Sequence, residues 1–311
     1  MLQDKIKRNT HKPIDLLLIG ECLVDVFSSD NSQVLFGGSP ANITMNFKQL
    51  GFNPRLCSSI GNDSEGLFLL SKFNEREIDT SLIAQHAMKT TKVKVSQSVG
   101  SPNPVFERES DHLIYFTKDL EEALKHTKIL HVSYWPLTKE PSKSTVLKAI
   151  NIAKEYDVLI AFDPNTHELL KTEETLSDFD LISLMRNVDI IKPSMDDAKR
   201  LFKKELSKDK YMDLFEELGI ILIMMTLGEN GVYVSYKKRR IHYSTLAKEV
   251  VDATGAGDAF WSGFYAGLTK GHNLEDTITL AQMTSAYALK HIGAITELPP
   301  IETLENQIRK K

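Results

Sequence analysis

Along the chain, short and wholly apolar runs alternate with segments whose apolar residues return every three or four positions. Ile14 to Gly20 (IDLLLIG) is continuous and ends in glycine, which predicts a strand buried on both faces of a parallel sheet. Arg55 to Ile60, ending at Gly61, and the runs ILHVSYW, VLIAFDPN, VDIIKPS and IILIMMTLG read the same way. Helical spacing predicts helices around Ser64 to Asn74, Ser142 to Tyr156, Met195 to Phe202, Tyr211 to Leu218, Leu274 to His291 and Ile301 to Arg309. The clearest helix start lies in FGGSPANITMNFKQLG, with a Gly37-Gly38 turn, Ser39 as N-cap, Pro40 at the first helical position and Gly51 as the stop.

Two stretches depart from this rhythm. Between Thr90 and Thr117, KVKVSQSV alternates polar and apolar residues, and VFERES and HLIYFT follow a Pro102-Asn103-Pro104 break. Strict alternation means strands with one face wet, so an antiparallel flap is expected there. VYVSYKK and RRIHYS predict a hairpin near the other end. Strands alternating with helices elsewhere imply an α/β fold built on a doubly wound, mostly parallel sheet.

The chain is organised around Val250 to Lys270, VVDATGAGDAFWSGFYAGLTK. A small-residue turn runs into an apolar segment from Ala259 to Leu268, in which Phe260, Phe264 and Leu268 recur at helical spacing, so a buried helix is expected. Asp258 falls in its first turn, where the peptide dipoles favour a negative charge. The amides of Gly255, Ala256 and Gly257 lack partners within the helix and suit a second anion. A carboxylate beside an anion nest makes sense if the anion is a phosphate in transfer and the carboxylate takes the acceptor's proton. GAGDAF is not a dinucleotide fingerprint, because Phe260 stands where GxGxxG needs its third glycine. Neither a Walker A string nor the HRD and DFG of protein kinases occurs.

Composition narrows the field further. The 311 residues suffice for one large α/β domain with an elaboration, and a net charge of -4 with a pI near 6.2 gives no footprint for nucleic acid or an anionic membrane. Cys22 and Cys57 are too few for a disulfide framework and lack metal-site spacing. The polar start MLQDKIKRNTHKP lacks the apolar core of a signal peptide, so a cytoplasmic protein is expected. Glu21 and Asp25, Asp163 to Asn165, Lys192 to Asp197, and Thr226 to Glu229 all follow predicted strands, the edge at which open parallel sheets bind ligands.

These motifs resemble the ribokinase-like (PfkB) sugar kinase family in order from Ile14 to Gly293. DATGAGDAF is similar to its carboxyl-terminal signature and GGSPANIT to its amino-terminal one. The resemblance implies a single kinase domain spanning 1–311, with a β-lid from about 25–37 and 90–117 that closes over the sugar and joins two subunits in a homodimer. It implies Asp258 as general base and Gly255, Ala256 and Gly257 as anion hole. Asp25, Gly37, Gly38, Asn42, Arg108 and Asn165 would bind the sugar, and Lys192, Ser194, Thr226, Gly228, Gly231 and Gln282 would bind ATP. Asp197 would serve magnesium, while Asp252, Thr254 and Gly293 would border a potassium ion.

Departures from the family pattern bear on these roles. The Asn-x-x-Glu motif is here Ser194-Met195-Asp196-Asp197, which weakens the metal assignment. His167 stands where ketodeoxygluconate-kinase-like members carry Arg after the DPN tripeptide, so a carboxylate-bearing sugar would lose a bidentate partner. GECLVD followed by FGGSPAN is closest to fructokinase-like members, so fructose is the expected acceptor. Ribose and 2-keto-3-deoxygluconate are the alternatives, and a non-catalytic sugar or nucleotide sensor on the same fold is the rival from another class. A phosphorylated sugar would require basic residues facing the acceptor, for which Lys92, Lys94 and Arg108 are the candidates.

Overall fold

The computed structural model describes residues 2–28, 33–96 and 104–308. A short helix α1 (Leu2–Arg8) precedes the first strand, β1 (Ile14–Ile19). The chain then forms β2 (Leu23–Ser28) and β3 (Gln33–Gly37) and returns through α2 (Ser39–Gln49), β4 (Pro54–Gly61), α3 (Ser64–Glu75) and β5 (Ile83–His86). A second excursion makes β6 (Lys92–Ser96) and β7 (Pro104–Glu107). The βα rhythm resumes with α4 (Lys118–Lys125), β8 (Thr127–Ser133), α5 (Ser142–Glu155), β9 (Leu159–Asp163), α6 (Asp178–Met185) and β10 (Ile190–Ile191). It continues through α7 (Met195–Phe202), α8 (Lys208–Glu217), β11 (Leu222–Thr226) and the hairpin β12 (Val232–Tyr236) and β13 (Arg239–Tyr243). Helices α9 (Ala256–Lys270), α10 (Leu274–Ala288) and α11 (Ile301–Ile308) follow.

Nine strands form the main sheet in the order β13-β12-β11-β10-β9-β8-β1-β4-β5. All pairings from β11 across to β5 are parallel, and the β12–β13 hairpin adds antiparallel strands at one edge. Burial on both faces explains the continuous apolar run of β1: Leu16 and Leu18 enter one core with α2, α9 and α10, while Leu17 and Ile19 enter the other with α4, α5 and α8. From β1 the chain builds outward to β4 and β5, then crosses back to build the other half from β8. The sheet order therefore reverses between β1 and β8, and that crevice is where such sheets bind ligands.

The small sheet runs β3-β2-β6-β7 and is the expected lid. Two of its pairings are antiparallel, while β2 and β6 run parallel. Its inner face is covered by the main body, because Leu23 and Val93 pack with Trp135 and Leu170, and Phe106 lies against them. Residues 29–32 and 97–103 of the expected lid, and Arg309 of the expected last helix, lie outside the described residues.

Several local expectations change. HLIYFT is no strand: Ser110–His112 is a 3-10 turn, Ile114 is buried, and the Thr117 hydroxyl accepts from the Leu120 amide as the N-cap of α4. Ser39 does not cap α2; Gly38 holds the cap position, and the Ser39 hydroxyl is used elsewhere. Helices α1, α4 and α6 and strand β5 were not legible. In α1 only Leu2 and Ile6 are buried, and its polar face is fixed by Lys5–Asp189 and Arg8–Asp157 pairs that local pattern cannot show. Among the described residues no helix is long and apolar enough to cross a membrane.

Helices α9 and α10 pack closely because α9 presents glycine where they cross. A Cβ at Gly263 would lie 2.1 Å from Thr284 Oγ1 and 2.7 Å from the Leu280 carbonyl oxygen. Overpacking of this kind typically costs about 1–3 kcal/mol. Gly263→Ala is therefore expected to lower stability by that amount in urea unfolding, and a variant as stable as the wild type would show that the two helices separate freely.

Candidate active site

The site assembles where the sheet order reverses. Glu21, just past β1, accepts from the Ser133 hydroxyl at the end of β8 (2.9 Å) and from the Ser39 amide at the start of α2 (3.3 Å). A side chain from the neighbouring loop thus satisfies a first-turn N–H of α2 that no cap side chain serves. Gly38 has φ +99°, and a Cβ there would meet the Glu21 carbonyl oxygen at 2.5 Å. A Cβ at Gly37 would meet Asp25 Oδ2 at the same distance, so the glycine pair is what lets β3 pass against the Asp25 carboxylate.

Asp258 lies opposite, in the first turn of α9. The Ser39 hydroxyl donates to its Oδ1 (2.6 Å) and the Asn42 amide to its Oδ2 (2.9 Å), joining α2 to α9 through one buried carboxylate. Burial raises its proton affinity, the bonds from Ser39 and Asn42 oppose this, and its pKa lies at about 6. Asp25 is pushed to about 7, by burial first and then by the Asp258 charge, and burial chiefly takes Glu21 to about 8. Asn42 Oδ1 is buried without a partner and is left for an incoming donor.

Beside Asp258, Gly255 takes φ +73°, and a Cβ on it would lie 2.5 Å from the Cα of Ala294. The anion nest differs in detail from the expectation. The Ala256 amide turns back to the Ala253 carbonyl (3.3 Å), whereas those of Gly255, Gly257 and Asp258 have no acceptor among the described residues. Lys192 stands over the nest, its Nζ 3.5 Å from where a Gly257 Cβ would be and 3.3 Å from Asp163 Oδ2. Trp261 Nε1 donates to the same Asp163 oxygen (2.7 Å), which fixes the pair from below.

A cleft of about 410 Å³ opens from the nest and is lined by Lys192, Thr226, Gly228, Gly231 and Gln282. Five of the six expected nucleotide residues therefore converge. Ser194 lines an adjoining opening that shares Thr226 and Gly228. Gln282 donates to the Ser244 carbonyl (2.8 Å), tying the cleft wall to the loop after β13. Asp252 accepts from the Thr254 amide (2.9 Å) and hydroxyl (2.7 Å) through Oδ1 and from the Gly293 amide (2.8 Å) through Oδ2, so the three expected cation-site residues do meet.

Other expected site residues are engaged elsewhere or stand apart. Asp197 offers no free oxygen for direct metal coordination, because Oδ2 accepts from the Ser194 amide and hydroxyl as half of a capping box and Oδ1 from the Thr166 amide and hydroxyl. Arg108 is committed to Asp111 and Thr138 and stacks over Trp135. Lys92 pairs with Glu65 and Lys94 with Glu107, on the lid face opposite Val93, so neither faces the acceptor. Asn165, at φ +33°, is exposed beyond β9 with no side-chain bond among the described residues. The supporting roles of Glu21, Ser39, Ser133 and Asp163 were not legible. Glu21 and Asp163 do stand just past predicted strands, which was the available signal; Ser133 gave none.

The chain matches the pfkB family of carbohydrate kinases over residues 15–301. It is 44% identical over 303 residues to the ATP-dependent 6-phosphofructokinase of Thermoanaerobacterium thermosaccharolyticum, covering 95% of this chain and 94% of that protein. The structure of Halothermothrix orenii fructokinase superposes with a TM-score of 0.78 at 31% identity, covering 91% of this chain and 100% of the other. A double mutant of Vibrio cholerae fructokinase in its fructose, ADP and potassium ion bound form shares the fold, with a TM-score of 0.83, 24% identity and coverage of 95% and 98%.

The crowded carboxyls make stability depend on pH. For Glu21 the folded pKa of about 8 lies above the ordinary 4.5, so the folded state holds a proton that the unfolded chain releases. This stabilisation is complete below about pH 4.5 and is lost as pH rises through about 8. Glu21→Gln copies the protonated form, so its melting temperature relative to wild type should rise between pH 5 and pH 8. A difference that stays constant or falls would place an ionised carboxylate there.

Proposed function

The chain belongs to the pfkB family of carbohydrate kinases, and from that premise we propose that it transfers the γ-phosphoryl group of ATP to a primary hydroxyl of a fructose unit, with Asp258 as the base. The observation that carries this reading is the buried Asp258 carboxylate, fixed by Ser39 and Asn42 beside free amides and Lys192. The cleft lined by Thr226, Gly228 and Gln282 takes the nucleotide. Asp25 and Asn42 Oδ1 orient the sugar hydroxyls. As the acceptor oxygen bonds to phosphorus, its proton passes to Asp258 and the bridging oxygen leaves with ADP. The amides of Gly255 and Gly257 and the Lys192 ammonium meet the charge spread over the phosphoryl oxygens.

Among the described residues no group of three or more His, Cys, Asp or Glu side chains is arranged for a metal. Magnesium, which commonly reaches kinases on substrate phosphates with few protein ligands, would enter with ATP and neutralise phosphate charge. Asp252, Thr254 and Gly293 are the residues for a potassium ion that orders the nest, as the resemblance implies. A homodimer through the outer lid face, where Val34 and Val105 are exposed, belongs to the same reading. Light scattering should then give twice the 35.1 kDa chain mass, and a species of one chain mass would remove the dimer.

Two acceptors fit a fructose unit. Free fructose follows from the resemblance of GECLVD and FGGSPAN to fructokinase-like members. Fructose 6-phosphate is favoured by the 44% identity to a protein named as a 6-phosphofructokinase. In either case Asp258→Asn should lower kcat by about 10² to 10⁴ while nucleotide affinity and melting temperature hold, since Asn keeps the size but takes no proton. Activity should fall on the acid side of about pH 6, where Asp258 is protonated. Asn42→Ala removes a bond that lowers this pKa, so it should move that limb to higher pH. An Asp258→Asn enzyme within about tenfold of wild type would remove Asp258 as the base.

A further inference from the structure

Lys192 occupies a place that its own charge makes unfavourable. It is buried, and its Nζ stands over the first turn of α9, the positive end of that helix's peptide dipoles. A cation there is costly unless an anion meets it. Among the described residues its one ion-pair partner is Asp163, at 3.3 Å. That is longer than the roughly 2.7–2.9 Å of a firm ammonium–carboxylate bond. The ammonium is thus tethered and keeps donors for an anion arriving at the nest.

Asp163 is built for this tether. It ends β9, and its Oδ2 faces both the Lys192 ammonium and the Trp261 indole N–H (2.7 Å). Trp261 follows Asp258 by three residues on α9, so one turn of helix carries both the acid beside the nest and the donor beneath it. The indole is fixed in turn. It stacks on Tyr265 (5.0 Å between ring centres, 14°) and meets the His131 ring edge-to-face (5.2 Å, 86°), while Tyr265 and His131 share a hydrogen bond (2.7 Å). All three side chains are wholly buried. Burial, and after it the Lys192 charge, push His131 down to about 3, so this packing adds no charge of its own. Burial raises the proton affinity of Asp163, the Lys192 charge opposes this, and the nearby Asp197 adds to it. At 3% exposure Asp163 is closed to substrate, and what it can do is set where Lys192 stands.

We propose that Asp163 is a positioning residue for phosphoryl transfer: supported by Trp261, it holds the Lys192 ammonium where charge grows on the migrating phosphoryl group. The inference rests on the kinase reading of Asp258 and Lys192, and it gives a role to a buried acid and a buried indole that touch no substrate. Such a tether acts on turnover more than on nucleotide binding. Without it the ammonium follows the phosphates wherever they lie, so the attraction in the ground state persists while alignment in the transition state is lost.

The test is a double-substitution cycle on kcat and KM, read by ADP release from the full chain with whichever of fructose and fructose 6-phosphate the wild type uses, alongside melting temperatures. Asp163→Asn keeps an oxygen for Trp261 and removes the charge. Its kcat should fall about 10- to 100-fold, the loss of one charge-assisted contact, while KM for ATP stays within about threefold. Trp261→Phe keeps the ring stack and removes only the donor, and should lower kcat by about tenfold with the same steadiness in KM. In a Lys192→Met background, Asp163→Asn should cost nothing further or restore part of the activity, because it then relieves an unpaired buried carboxylate. An equal loss of kcat in both backgrounds, in step with a fall in melting temperature, would make Asp163 merely structural and overturns the proposal. Wild-type kcat in both Asp163→Asn and Trp261→Phe, or a loss taken up in the KM for ATP alone, overturns it too. Should Asp163→Asn fail to fold, Trp261→Phe with and without Lys192→Met decides the same question. No ADP release from the wild type with either acceptor, or full turnover in Asp258→Asn, overturns the kinase reading and this proposal with it.

Discussion

The Asp258 carboxylate is held by a hydroxyl from the first turn of α2 and an amide from its second, so one buried acid joins two helices remote in sequence. Much of the architecture around it serves that contact. An unpaired carboxylate inside a protein would cost several kcal/mol and would take up a proton instead. With two donors in place its pKa rises only to about 6, low enough for it to be ionised near neutrality and high enough to accept a proton. Bringing the donors there requires α2 to begin against the end of β1, which the glycine pair and the Glu21 side chain together permit.

Glu21 links this contact to the sheet. It bridges the ends of β1 and β8, the two strands between which the order reverses, and it takes up the amide at the start of α2. The position of Asp258 therefore follows from the topology of the sheet as well as from local turn chemistry. Three carboxyls gathered so closely cannot all ionise cheaply, and the rise of Glu21 and Asp25 above Asp258 means that the first two keep their protons longest. Asp258 is left as the acid most readily ionised, the state that its proposed role as base requires.

The opposite wall shows one motif serving a different purpose from the one its family pattern suggests. Ser194 and Asp197 close the start of α7 on itself, and Asp197 also clamps Thr166 at the end of the DPN turn. The exposed Asn165 is thus carried on a turn whose next residue is fixed to the first turn of α7. On the lid, alternation sends Lys92 and Lys94 to the outer face and Val93 to the inner one, where it packs with Leu23, Trp135 and Leu170.

The sequence by itself determined the sheet and the glycine turn that precedes Asp258. Continuous apolar runs suit strands buried on both faces, as in a parallel sheet, and Gly255 at φ +73° against Ala294 admits no side chain, so both leave a local record in residue type. Lys192, Thr226 and Gly228, which line the cleft beside the nest, were legible because they follow strands directly and the strand ends share one rim. Partnership was not legible. Whether Ser39 caps its own helix or reaches Asp258, whether Asp197 faces an ion or Thr166, and whether Arg108 is free or bound to Asp111 depend on which segments the fold brings within about 3 Å, the span of a hydrogen bond. Helix α1 and strand β5 were lost for the same reason: what holds them is contact with distant residues. Tertiary structure alone decided those contacts, because hydrogen bonding and burial act through space and are indifferent to separation along the chain.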